Sequence, residues 1–449
     1  MTPYTQTRRH FLKTALKGVM GTGLLGSSQI AFMNQSFAST TNDYKALVGI
    51  FLYGGNDSFN MLIPLSGDTL SGYQQIRTHL VQPNPLAILP STPVTDGIGL
   101  AQSLGALQPL FSQGKLAIQA KVGTLIEPYI EGAQKPLALL SHSNQQDAWQ
   151  RGAELNQGNV GGTGWAGRVL DTLMLNSSQG HLLNMSLQGR NLWQAGNLHS
   201  PYSLSTKGVE MLEGFTSYGL ESRRAPIMEQ YLSQTSHSHK IMEHFRKAML
   251  STKSTGELLS AQLAALDNAG TDELFPSNNS LANQLKTVLD LIRLGKEQQV
   301  NRQIFLVGLG GFDTHNSQFN RHNSLLEELS TAMSGFYTAT EQLGFSEQVT
   351  SFTMSDFGRS RTPNNSGTDH GWAGHQLILG GSVRGDLYGE LPTWSTGIEG
   401  DSDWIPSTAN EQMFASLANW FGVSESDCFN VFPNLQNFGS TLDVNYFTS

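Results

Sequence analysis

The chain contains one cysteine, Cys428, which excludes an internal disulfide framework and any cysteine-rich metal site. Charge is also sparse, at 14% of residues, and basic residues are the scarcer sign: 27 Lys and Arg against 36 Asp and Glu. The net charge of −9 and the lack of a basic stripe exclude the clustered phosphate contacts that a nucleic-acid binder needs. No run approaches the ~20 predominantly apolar residues that span a bilayer, so no permanent membrane anchor is expected.

The N-terminus carries a pattern of its own. Thr7-Arg8-Arg9-His10-Phe11-Leu12-Lys13 is a twin-arginine sequence, and a weakly apolar, glycine-rich stretch from Ala15 to about Met33 follows it. Ser36-Phe37-Ala38 offers small residues where a signal peptidase reads, so cleavage after Ala38 is expected. These features predict a signal peptide over residues 1–38, the twin-arginine translocase as a partner, and periplasmic or secreted residence. Residues 1–38 hold four basic residues (Arg8, Arg9, Lys13, Lys17) and no acidic one, so the mature chain carries −13.

Residues 39–449 suit a single α/β domain. Four short apolar runs read as buried parallel strands: Ala46–Tyr53, Leu116–Val122, Ile304–Leu309 and Val349–Met354. Glycines gather near strand ends, at Gly54-Gly55, Gly161-Gly162, Gly310-Gly311 and Gly380-Gly381, where turns and close backbone approach demand them. Leu281, Leu285, Val288, Leu289 and Ile292 lie on one face of a predicted helix over 281–294. The stretch from about 210 to 300 reads as a helical insertion, with His237, His239 and His244 on a solvated face. Asn268–Ser280 reads as a loose surface loop.

Four clusters carry chemistry. They are Gly54-Gly55-Asn56-Asp57-Ser58, Ser141-His142-Ser143-Asn144-Gln145-Gln146-Asp147, Gly310-Gly311-Phe312-Asp313-Thr314-His315, and Ser355-Asp356-Phe357-Gly358-Arg359 with Gly367-Thr368-Asp369-His370-Gly371 and His375. Ligand sites of open α/β sheets lie beyond the carboxyl ends of the strands, where Asp57, Asp313 and Asp356 would converge. An Asp after a strand also suits a helix N-cap. Three converging carboxylates without a cation repel one another. With His315 and His370 they form a mixed oxygen and nitrogen set that suits Zn, Mn or Fe.

In this order the motifs resemble the DUF1501 family of twin-arginine-exported bacterial proteins, from about Ala46 to about Phe421. That family is in turn similar to the alkaline phosphatase and sulfatase superfamily. The resemblance implies a mostly parallel central sheet sandwiched by helices and one or two divalent ions, Zn or Mn. It implies Asp57, Asp313, His315, Asp356, Asp369 and His370 as metal ligands, with His375 as an alternative to His370. It offers Ser141 as nucleophile, with Ser143 and Thr124 as competitors. Arg359, Arg361 or Arg168 would clamp an anionic ester. Phe357 departs from the pattern, since the superfamily places His or Asn after that Asp and Phe cannot ligate a metal. The implied function is metal-dependent hydrolysis of phosphate or sulfate esters. The alternative is a non-catalytic secreted binding or structural protein on the same fold.

Overall fold

The long apolar runs do become strands, and the burial of both their faces explains their composition. The computed structural model describes residues 43–448, except 130–134, 153–161, 175–179, 207–220, 235–239, 268–269, 395–403, 440–441 and 443. The twin-arginine segment, Gly161, His237 and His239 lie outside the described residues.

Strand β1 (Lys45–Tyr53) sits near the middle of a nine-stranded sheet. In chain order the others are β2 (Leu116–Gly123), β3 (Asn184–Ser186), β4 (Tyr202–Ser203), β5 (Arg302–Gly310), β6 (Val349–Ser355), β7 (Gly374–Gly380), β8 (Leu387–Tyr388) and β9 (Thr408–Ala409). Their spatial order is β8-β2-β7-β6-β1-β5-β3-β4, with β9 also paired to β2. β1 runs parallel to β5 and β6, and β5 parallel to β3. β7 runs against both its neighbours, β6 and β2. The fold is therefore α/β with a mostly parallel sheet. Leu116–Val122 is not flanked by parallel strands on both sides: its partner toward the sheet centre is the antiparallel β7, whose strand character the sequence reading missed.

Alternate residues of β1 enter different cores, as the two-residue period of a strand requires. Ala46, Val48, Ile50 and Leu52 face one apolar cluster; Leu47 and Phe51 face the other. The first cluster is closed by α6 (Ser280–Glu297) and α7 (Gln318–Gln342). The second is closed by α3 (Trp165–Thr172), α8 (Asn410–Phe421) and α9 (Glu425–Val431). Helices thus cover both faces of the sheet. In α6, Leu281, Leu285, Val288, Leu289 and Ile292 are all buried, and Asn279 caps it by accepting from Ala282 N at 2.8 Å.

Two more helices precede α6, α4 (Glu221–Leu232) and α5 (Lys240–Ala265), and Ile227, Ile241 and Phe245 on them are exposed. Asn268–Ser280 is more ordered than a loose loop: among its described residues a 3-10 turn spans Asp272–Leu274, and Thr271 and Phe275 are buried. Tyr44–Ser449 forms one compact unit. Among the described residues no helix is long and apolar enough to cross a membrane.

Candidate metal centre

The parallel strands deliver β1, β5 and β6 to one edge of the sheet, and β7 enters there because it is reversed. Asp57 follows β1, Asp313 follows β5 and Asp356 follows β6. Helix α2 (His142–Arg151) begins beside them with Ser141 as its N-cap. The loop after Arg359 turns back so that Arg359 and His370 form an antiparallel bridge, with Thr368 N bonded to Thr314 O at 3.2 Å.

Gly54 and Gly55 adopt φ of 116° and 83°, a region that side chains rarely enter. Each also leaves room for a neighbour. A Cβ on Gly54 would lie 2.3 Å from Asp313 N, and one on Gly55 would lie 2.5 Å from the Phe357 ring. The first motif therefore admits the third and fourth to the same place.

Three imidazoles gather there around one carboxylate oxygen. Asp313 Oδ1 lies 3.1 Å from His315 Nε2, 3.5 Å from His370 Nε2 and 3.7 Å from His142 Nε2. His315 Nε2 and His370 Nε2 are 3.0 Å apart. Atoms of His142, Asp313 and His370 all lie within 4.8 Å of one another. Each imidazole is held from behind through Nδ1. His142 Nδ1 meets Asp356 Oδ2 at 2.6 Å, His315 Nδ1 meets Asp369 Oδ1 at 3.1 Å, and His370 Nδ1 meets Leu140 O at 2.7 Å.

This polarity tests whether a cation fits. A backbone carbonyl only accepts, so His370 Nδ1 carries the proton and its neutral ring presents a lone pair at Nε2. In their neutral forms His142 and His315 take the same tautomer from the carboxylates on Nδ1; protonated, each would donate from Nε2 instead. With the rings neutral, three lone pairs face one anionic oxygen. Arg359 Nη1 donates to Asp313 Oδ1 at 2.9 Å, but that leaves the three Nε2 atoms without a donor. Ligands ~2.0–2.1 Å from a tetrahedral Zn ion stand about 3.3 Å from one another. The separations of 3.0, 3.1, 3.5 and 3.7 Å bracket that edge, and the group of His142, Asp313 and His370 spans up to 4.8 Å, so binding would draw it together. The residues fit a metal.

The electrostatics agree. Burial raises the Asp313 carboxyl, but the Arg359 hydrogen bond and charge outweigh it, joined by His315 and His142 whenever these carry a proton, and hold the carboxyl below its ordinary range. Burial lowers His370 and favours its neutral, ligating form; the bond to Leu140 O opposes this only in part. Burial pushes the Asp356 carboxyl up against the pull of His142, Gln146 and Gly54 N. Phe357 cannot ligate, yet its ring centroid lies 4.8 Å from that of His142 and 4.5 Å from that of His370. It is the wall against which both imidazoles stand.

Of the expected ligands, Asp313, His315 and His370 come together. Asp356 and Asp369 stand one bond behind, on the Nδ1 atoms. Asp57 is elsewhere: fully buried, it pairs with Arg77 and accepts from Gln318 Nε2. His375 lies on β7 rather than in a loop, fully buried, with Nδ1 accepting from Lys121 N at 3.3 Å beside an irregularity in the β7–β2 register. Ser141 Oγ accepts from Asn144 Nδ2 at 3.2 Å and lies 3.3 Å from Ser143 Oγ. Thr124 Oγ1 is buried and donates to Gln145 Oε1 at 2.8 Å. Arg168 donates to the carbonyls of Val431, Thr163 and Arg151, and Arg361 Nη1 to Thr393 O at 3.0 Å. The residue that sequence reasoning passed over is His142. Its signal was its place beside Ser141 at a helix start, in a motif already singled out.

The model of the family described as "Protein of unknown function (DUF1501)" matches residues 44–429, nearly the whole described chain. The chain belongs to the DUF1501 family. All the residues gathered at this DUF1501 centre lie inside the matched range. No curated protein matches the chain in sequence. Among solved structures, the crystal structure of Ps i-CgsB is similar at a TM-score of 0.36 and 9% identity, covering 88% of this chain and 77% of that one. The same protein in complex with k-i-k-neocarrahexaose gives a TM-score of 0.33 at 9% identity, covering 89% and 77%. Likeness at this level assigns neither a site nor a ligand.

Proposed function

We propose that this protein is a metal-dependent hydrolase that acts on a phosphate or sulfate ester after export by the twin-arginine route. One observation carries the reading: three imidazole Nε2 atoms surround Asp313 Oδ1, each with an acceptor on its Nδ1. His142, His315, His370 and Asp313 would hold the ion. The nitrogen-rich set and its edge lengths favour Zn over Mn. Such an ion, when bound, lowers the pKa of water and polarises an ester oxygen.

The chain's own groups prepare that chemistry. Asp356, Asp369 and Leu140 O fix the tautomers that turn all three lone pairs inward, the outer support that ligating histidines ordinarily have. Side chains of Asp313 and His315 are 47% and 41% exposed, which leaves the centre open to a ligand from solvent. Among the described residues no hydroxyl is hydrogen-bonded to the imidazoles or to Asp313, so the reading takes water rather than Ser141 as nucleophile.

A second reading, a secreted binding protein, is favoured by Arg359. Four of its five N–H groups donate within the protein, to Thr368 Oγ1, Thr368 O, Gly54 O and Asp313 Oδ1, which leaves no free pair for a two-point clamp on an anion. The test is turnover of aryl phosphates and aryl sulfates by purified mature protein supplied with Zn or Mn, beside His370→Ala. Turnover that falls at least ~100-fold in the variant supports the hydrolase, the size expected for losing metal-assisted chemistry. Wild type that binds metal and hydrolyses neither ester supports the binding protein.

A further inference from the structure

Beneath the imidazoles, five fully buried polar side chains form an unbroken chain. Arg77 and Gln318 Nε2 both donate to Asp57 Oδ2. Thr368 Oγ1 donates to Gln318 Oε1 at 2.6 Å and accepts from Arg359 Nε at 3.3 Å. Arg359 Nη2 donates to Thr368 O, and Nη1 reaches Asp313 Oδ1 at 2.9 Å. Asp57, Arg77, Gln318, Thr368 and Arg359 are each 0% exposed.

The direction of every link is determined. Guanidinium groups only donate and a carboxylate only accepts. Asp57 therefore turns the Gln318 amide so that Nε2 faces it and Oε1 faces Thr368. Oε1 then takes the one hydroxyl proton of Thr368, whose lone pair is left for Arg359. No member can rotate without leaving a buried donor or acceptor unpaired, which costs about 1–3 kcal/mol. Arg77 adds a second hold: its Nη1 donates to Ser360 O at 3.1 Å and Arg361 O at 2.9 Å, the two residues after Arg359.

We infer that Arg359 is a positioning residue for the metal centre, and that Asp57, Arg77, Gln318 and Thr368 act on the centre through it by fixing Asp313 Oδ1 among the imidazoles. Asp57 thus influences the ion without touching it. Without this chain the Asp313 carboxylate, half-exposed on a loop, would sample several orientations and bind an ion less tightly. This inference rests on the metal-centre reading above.

The experiment titrates the full mature protein with Co(II), following the visible absorption that reports ligand geometry, for wild type, Gln318→Met and Thr368→Val. Both replacements keep volume and remove one member of the chain with its two side-chain hydrogen bonds; Thr368→Val retains the carbonyl that Arg359 uses, which favours folding. Removing a hydrogen-bonded partner that orients a metal ligand typically changes metal affinity 10- to 100-fold. The expected result is Co(II) binding weakened about tenfold in either variant, with an altered spectrum, in protein whose far-ultraviolet circular dichroism is native. Variants with wild-type affinity and spectrum would overturn the inference while leaving the metal centre standing, even if their melting temperatures fall. A wild type that binds no Co(II) would overturn both.

Discussion

Asp57 and Asp313 follow neighbouring strands of one sheet and end in opposite settings. Asp57 is fully buried and has its countercharge built into the chain, the guanidinium of Arg77. Asp313 is half-exposed, shares Arg359 with other acceptors, and faces three imidazole nitrogens. The lower region answers the Asp57 charge with the Arg77 guanidinium, although Asp57 Oδ1 and Arg77 Nε keep no hydrogen-bond partner among the described residues. With its imidazoles neutral, the upper region has an excess of acceptors, which a bound cation or added protons resolve. What distinguishes a structural carboxylate from a ligating one here is which partner the fold supplies, since the residue type and its place after a strand are the same.

The largest effect that sharpens this contrast comes from one substitution made at both positions. Asp57→Asn strands the buried Arg77 charge, and loss of one partner of a buried pair costs about 3–5 kcal/mol. Asp313→Asn also takes the countercharge from the buried Arg359, but the new amide oxygen still accepts its hydrogen bond, so it should cost less, about 1–3 kcal/mol in metal-free protein, and remove tight metal binding. Urea unfolding of both variants in the presence of a chelator measures the two losses. Equal losses would dissolve the contrast.

The next effect is a pH dependence that the lower region contributes. His322 is buried there with Nε2 2.9 Å from Asn56 Oδ1, and burial lowers its pKa to about 4 against the nearby Asp57 charge. The unfolded chain takes up this proton near pH 6.5 and the folded one near 4. The contribution is therefore fully present above pH 6.5 and is lost as pH falls toward 4, at roughly 1.4 kcal/mol per unit. Unfolding free energies measured at pH 7 and pH 5 should differ less in His322→Gln than in wild type. An unchanged difference would show that other groups govern the acid limb.

A smaller effect tests the outer support of the upper region. Asp369 is mostly exposed and holds only His315 Nδ1 and Asn364 Nδ2. Asp369→Asn should weaken Zn affinity about tenfold with little change in stability, as measured by competition with a chromophoric chelator. A loss beyond ~100-fold would make Asp369 a direct ligand instead.

Much of this contrast was open to a reader of the sequence, and one half of it was not. The strands around Ala46–Tyr53, Leu116–Val122, Ile304–Leu309 and Val349–Met354 declared themselves because burial on both faces leaves unbroken apolar runs. Asp313, His315 and His370 followed from their places after strand ends. β7 stayed hidden because it opens with Gly374, His375 and Gln376, polar or small residues that interrupt the apolar pattern although all are buried. The pairing of Asp57 with Arg77 joins residues 20 positions apart through a helix, α1 (Gly67–Arg77), whose last residue turns inward. Nothing in local periodicity marks such a turn. His142 was legible by type and place, but a hydroxyl beside it drew the nucleophile assignment.

The account rests on the claim that three imidazoles and Asp313 hold one transition-metal ion. Elemental analysis of purified mature protein, beside His142→Ala, tests it most directly. About one Zn or Mn per chain in wild type, and a small fraction of that in the variant, is the predicted result. Full metal content in His142→Ala would remove His142 from the centre, and a metal-free wild type after exposure to Zn and Mn would contradict the account.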